Sequence, residues 1–83
     1  MSFTEICEKN GFGDLKSLDR RHDSAIKRQA VWTLMRERGE TLEEIGRQSN
    51  RSHSTVLPGI RRFKGLLEYN DKQAVEIWKK LTE

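Results

Sequence analysis

Apolar residues recur along this chain at spacings of three and four, and no stretch alternates with the period of two that a half-buried strand requires. The pattern therefore predicts helices and no strands. Residues 2–9 read as a short helix capped by Ser2, with Glu5 three residues later and Phe3, Ile6 and Cys7 on one face. Asn10-Gly11-Phe12-Gly13 ends it. Asp14 to Leu18 is expected to add one turn, pointing Leu15 and Leu18 inward, and the polar run 19–23 is expected to form an exposed loop. Asp23 or Ser24 then caps a long helix through Arg38, with Ile26, Ala30, Val31, Leu34 and Met35 as its buried stripe and Gly39 just past its end. Thr41, followed three residues later by Glu44, opens a helix over 42–49. A short polar break follows, in which Asn50 tolerates the left-handed conformation and Ser52 can cap a further helix starting at His53. Val56, Ile60 and Phe63 of that helix point inward. A tail helix over about 71–82, started by Asn70 or Asp71, carries Ala74, Val75, Trp78 and Leu81 on one face. The expected fold is one all-α domain over residues 1–83, with five or six short helices around a shallow core.

Composition narrows the function. With 83 residues the chain is too short for a Rossmann sheet, a barrel or a nucleotide-hydrolysing module, each of which needs well over about a hundred residues. The N-terminus has neither the basic nor the apolar region of a signal peptide, and no apolar run is long enough to span a membrane. The lone Cys7 cannot form an internal disulfide and reads as a small buried hydrophobe. Cys7, His22 and His53 lack metal-ligand spacing, and no nucleophile and base are paired, so neither a metal, a cofactor nor an enzyme is expected. A cytoplasmic protein is expected. The net charge is only +3, but it is unevenly spread. Seven Lys and Arg residues fall within 16–38, and Arg47, Arg51, Arg61, Arg62 and Lys64 occupy 47–64 without one acid. Glu40, Glu43 and Glu44 lie between the two blocks. Two basic segments suit a polyanion.

Two helices joined by a three- or four-residue turn, the second opening with small polar side chains, describe a helix-turn-helix over about 42–64. His53, Ser54 and Thr55 have the size and the donors and acceptors to reach base edges in a major groove. Free N–H groups at the helix starts near Leu42 and His53 can hold phosphate, and the flanking arginines can neutralise the DNA backbone. Trp32 and Trp78 are expected in the core rather than as a stacking platform for single strands.

The run Leu42-Glu-Glu-Ile-Gly-Arg, followed by Arg51-Ser-His-Ser-Thr-Val-Leu57, closely resembles the C-terminal DNA-binding domain (domain IV) of the bacterial chromosomal replication initiator DnaA. Ile6-Cys7-Glu8, Asp14-Leu15-Lys16-Ser17, Arg20-Arg21 and Lys27-Arg28-Gln29-Ala30 extend the likeness upstream in the same order. The resemblance implies a helix-turn-helix of the kind shared with the Trp repressor. It implies base contacts in the major groove from Ser52, His53, Ser54 and Thr55, and a minor-groove contact from Arg20. It further implies phosphate contacts from Arg28, Gln29 and Arg62 and from the N–H of Leu42, and the neighbouring basic residues Arg21, Lys27 and Arg51 are expected on phosphates as well. Double-stranded DNA is the expected partner, bound by a monomer associated with the bacterial nucleoid, and the full-length initiator or another replication protein is a further candidate partner.

Three departures bear on specificity. The family's Asp is Ser52 here, its first Thr is Ser54, and the turn is one residue shorter. Pro58 lies inside the recognition helix, where it cannot donate to the carbonyl of Ser54 and is expected to kink or tighten that turn, and Gly59 is expected to weaken the helix further. No Gly-rich phosphate loop is present, so the chain is expected to be an excised domain or a free-standing relative that binds initiator-type boxes without ATPase activity. Two other readings remain open: a Trp-repressor-like transcription repressor, and a protein-interaction module that docks through its tail helix.

Overall fold

A computed structural model describes residues 1–16 and 22–83. Among these, five helices and no strand are found: α1 (Phe3–Lys9), α2 (His22–Glu37), α3 (Leu42–Ser49), α4 (His53–Glu68) and α5 (Lys72–Thr82). Ser2 caps α1 through the expected reciprocal pair, its hydroxyl accepting from the Glu5 N–H at 3.2 Å and its own N–H donating to the Glu5 carboxylate at 2.9 Å. Both bonds satisfy first-turn donors that have no partner within the helix. They also hold the Glu5 carboxyl below the usual carboxylate range.

The first four helices stop by one device. After each, a residue in the left-handed region turns the chain, and the next N–H reaches back five residues to a carbonyl in the last turn. Gly11 and Gly39 serve α1 and α2; Asn50 and Asn70 serve α3 and α4. The closing bonds are Phe12 to Cys7, Glu40 to Met35, Arg51 to Gly46 and Asp71 to Leu66, all between 2.9 and 3.1 Å. Gly has no Cβ to clash at positive φ, and Asn is the side chain that tolerates it best. Asn70 is thus the stop of α4, and Asp71 is the cap of α5, accepting from the Ala74 N–H at 3.0 Å.

Three expectations need correction. The long helix begins at His22, inside the run expected to be loop, and Glu37 is its last residue. Residues 15–16 form a turn rather than a helical turn, held by the Lys16 N–H donating to the Asp14 carboxylate at 2.9 Å; Leu15 is buried, and Leu18 lies outside the described residues. Pro58 does not interrupt α4, which continues to Glu68. The turn before it is tight, with the N–H groups of both Thr55 and Val56 donating to the Ser52 carbonyl. Pro58 and Ser54 are both exposed, so the backbone bond that proline deletes falls on the solvent side, where water replaces it at little cost.

α2 lies at the centre and touches each of the other helices. Phe3, Ile26, Val31, Ile45, Val56, Phe63 and Ala74 are almost fully buried around it. Cys7 joins this core, and burial pushes its thiol up to about 11, so it stays protonated and unreactive at neutral pH. In α5 the buried face is Ala74, Ile77 and Leu81, whereas Val75 and Trp78 are only half-buried. The face is rotated from the expected one: Ile77, not Val75, is buried, while the Trp78 ring tilts against Phe63 with centroids 5.8 Å apart. The tail helix uses its apolar face to close the protein's own core, which leaves little of it for docking a partner.

Candidate nucleic-acid interface

The turn between α3 and α4 is built around Gly46. A Cβ there would lie 2.5 Å from the carbonyl oxygen of Arg51 and 3.3 Å from the His53 nitrogen, so only glycine lets the chain fold back this closely. Gly46→Ala should therefore cost about 1–3 kcal/mol of stability through overpacking, despite alanine's better helix propensity. Gly65→Ala, in α4 with nothing within 4 Å of the added Cβ, should instead gain up to about 1 kcal/mol. Thermal unfolding followed by circular dichroism checks both, and equal effects at the two sites would dismiss the close approach as the cause.

From this turn α4 emerges with its first residues outward. Ser52, His53, Ser54 and Thr55 are all exposed, so the four residues expected to read bases share one accessible helix start. Ser52 is the N-cap: its Oγ accepts from the Ser54 N–H at 3.2 Å and lies 2.8 Å from the Ser54 hydroxyl. These two hydroxyls satisfy each other in the free protein. The first turn of α4 carries no acid, leaving its positive end open to an anion.

Behind this helix start stands Trp32. Its indole N–H donates to the Ser49 hydroxyl at 2.9 Å, and that hydroxyl donates to the Ile45 carbonyl at 2.8 Å. The indole ring also lies against α4 at Gly59, where an added Cβ would fall 2.5 Å from Cζ3. Gly59 is thus the contact through which α2 and α4 approach, rather than only a weak point in the helix. No spacing rule in the sequence pairs Trp32 with Gly59, which lie 27 positions apart.

A groove of about 290 Å³ opens between α2 and α4. Arg28, Gln29 and Trp32 line it from α2, Thr55, Pro58, Gly59 and Arg62 from α4, and Arg51 from the turn. Arg62 is exposed, and the Oε1 of Gln29 is buried without a hydrogen-bond partner. Two of the expected phosphate ligands are engaged within the protein itself. Arg28 is 7% exposed and donates from Nε to the Leu15 carbonyl at 2.9 Å. Arg51 donates from Nη1 to the carbonyls of Lys16, Asn50 and Ser49 at 3.0, 3.1 and 3.3 Å. Lys27 is not brought to the groove: its ammonium lies 5.6 Å from the centre of the Phe12 ring, which Lys80 also approaches at 5.7 Å. Arg20 and Arg21 lie outside the described residues.

Leu42 opens α3 and is half-buried. Thr41 accepts from the Glu44 N–H at 3.1 Å, but the Glu44 carboxylate does not complete the reciprocal box. It binds Arg47 and Gln48 instead, and the Arg47 guanidinium holds its carboxyl below the usual range. Gln48 in turn accepts from the Phe3 N–H at 2.7 Å and so ties the start of α1 to α3. Among the described residues no three of His, Cys, Asp and Glu come together as a metal site, and no helix is long and apolar enough to cross a membrane.

No solved structure matches the chain. Residues 4–62 do match a known family, described as the bacterial dnaA protein helix-turn-helix. That span takes in α1 from Thr4, α2, α3 and α4 as far as Arg62. With most of its length matched and a helix-turn-helix at the matched position, the chain belongs to the bacterial DnaA helix-turn-helix family.

Proposed function

We propose that this domain reads initiator-type, A·T-rich boxes in double-stranded DNA and so regulates replication or transcription, without hydrolysing ATP. Family membership implies DNA binding. One observation carries the finer reading: Ser52, His53, Ser54 and Thr55 form a single exposed cluster at the start of α4, beside a groove that holds Arg62 and Gln29. In this reading the cluster enters the major groove while Arg20 enters the adjacent minor groove. Arg62, Gln29, the Leu42 N–H and Arg21 hold phosphates on either side. The domain acts as a monomer at the nucleoid, where the full-length initiator or another replication protein shares its sites.

Selection from a random duplex pool tests this without a prior guess at the site. An A·T-rich initiator-type box should be enriched. His53→Ala and Thr55→Ala should each reduce its preference over scrambled duplex by about 1–3 kcal/mol, the value of a good base contact. Ser52→Asp exchanges a hydroxyl that donates and accepts for a carboxylate that only accepts, so it should sharpen base preference while lowering general affinity. Enrichment of nothing would mean backbone binding alone, and the regulatory reading would fall with it.

A further inference from the structure

The resemblance implies a phosphate contact from Arg28 and the basic flank of the helix-turn-helix suggests one from Arg51, yet the structure gives both guanidinium groups backbone carbonyls of the protein itself. They converge on one feature. Arg28, on α2, takes the carbonyl of Leu15, and Arg51, in the turn before α4, takes the carbonyl of the very next residue, Lys16. The same Nη1 of Arg51 also reaches the carbonyls of Ser49 and Asn50, the residues that close α3. The Leu15–Lys16 turn is therefore held from two sides, with the Leu15 side chain sunk into the core at 3% exposure.

We propose that Arg51 and Arg28 are positioning residues for sequence reading: they fasten the helix-turn-helix turn to the Leu15–Lys16 turn and so fix the direction in which Ser52–Thr55 leave it. The inference rests on the DNA-reading function proposed above and assigns these two arginines a part in it other than phosphate neutralisation.

The physical reason lies in the turn. Asn50 sits at φ 58, and two carbonyls, those of Ser49 and Asn50, crowd where α3 has ended. A cationic donor offered to both relieves their mutual repulsion, because hydrogen bonds with one charged partner are roughly twice as strong as neutral ones. The third carbonyl, 35 positions away in sequence, turns this local cap into a strut. All three bonds come from Nη1, whose two hydrogens are shared among the three carbonyls, at least one of them in a three-centre bond. Arg28 works from the opposite side, where its buried Nε–H bond keeps the Leu15 carbonyl from being stranded in the core. With the strut in place, Ser52 starts α4 from a fixed origin, and a shift of its first turn by about an ångström would move every side chain meant for a base edge.

The test uses Arg51→Met, which keeps an unbranched apolar stem and removes both charge and donors, with Arg62→Met as the comparison. The labelled duplex enriched by selection and its scrambled counterpart are titrated over a range of salt. For Arg51→Met the ratio of the two affinities should fall by about tenfold, while the slope of log affinity on log salt stays as in the unmodified protein. Arg62→Met should do the reverse, keeping the ratio and flattening the slope by about one. A lower folded fraction cannot imitate the Arg51→Met result, since it weakens both duplexes alike. Hydrogen exchange on the free protein is read in parallel. The amides of residues 50 and 51, which close α3 on the carbonyls of Arg47 and Gly46, should exchange about tenfold faster in Arg51→Met while amides in the middle of α2 do not change. Arg28→Met is the second variant and should lower the affinity ratio in the same direction.

A flattened slope with an intact ratio in Arg51→Met would make Arg51 a phosphate ligand and overturn the proposal. Unchanged exchange at residues 50 and 51 would overturn it equally. If the unmodified protein bound no duplex, the proposed function would fall, and the exchange result would still decide whether the strut exists.

Discussion

Raising salt from about 50 to about 200 mM should weaken duplex binding by two to three orders of magnitude, on a log–log slope near −4. The slope counts phosphate charges neutralised, at about 0.9 per contact on duplex DNA. Four or five are expected: Arg62 lies in the groove, Arg61 and Lys64 are exposed on the same helix, and Arg20 and Arg21 belong to the first basic block. Lys27 is left out because it faces Phe12, and Arg28 and Arg51 because they are given to backbone carbonyls. Arg62→Met should flatten the slope by about one unit and weaken every duplex to a similar extent, since a phosphate contact carries no sequence information. Fluorescence anisotropy at five salt concentrations reads both effects. A slope near −7 would mean that Lys27, Arg28 and Arg51 leave their internal partners and join the interface. A slope near zero would remove the polyanion surface altogether.

The second large effect falls on stability. Trp32→Ala should cost about 3–5 kcal/mol, the usual range for deleting a buried aromatic side chain. At about 0.05–0.15 kcal/mol per residue the whole domain holds only about 4–12 kcal/mol, so this variant should be close to unfolding. Three things are lost together: a side chain that is 3% exposed, the bond from the indole N–H to Ser49, and the surface on which Gly59 rests. Trp32→Phe keeps most of the ring and should cost less, by roughly the 0.5–1.5 kcal/mol of one hydrogen bond plus a small cavity. Gly59→Ala should be destabilising alone, because its Cβ meets the indole, and much less so in the Trp32→Ala background, where the space is empty. Such coupling between contacting residues runs to about 0.5–3 kcal/mol. Urea denaturation of the four proteins measures it. Strict additivity would show that Trp32 and Gly59 do not press on each other.

The same pair shows what the sequence could and could not say about the site. Gly59 in a helix reads locally as a loss of about 1 kcal/mol relative to alanine. Its gain appears only across the interface, where the missing Cβ admits an indole from α2. Pro58 reads as a kink because its ring removes a backbone bond. In the fold that bond lies toward water, and α4 continues past it to Glu68.

Local signals determined the elements. The caps Ser2, Thr41 and Ser52, the left-handed stops Gly39 and Asn50, and the stripes at spacings of three and four specify α1, α3, α4 and the stop of α2 without tertiary information, because each acts within five residues. They also place Ser52, His53, Ser54 and Thr55 together, since four consecutive residues at a helix start share one place whatever the rest of the chain does. What the basic residues face was decided by tertiary structure alone. Arg28, Arg51 and Arg62 look alike in sequence, each a cation in a basic block. A guanidinium goes to the strongest acceptors within reach, and reach is set by packing. The Leu15–Lys16 turn brings two carbonyls to Arg28 and Arg51, Phe12 draws in Lys27, and Arg62 is left exposed in the groove, open to an anion from outside.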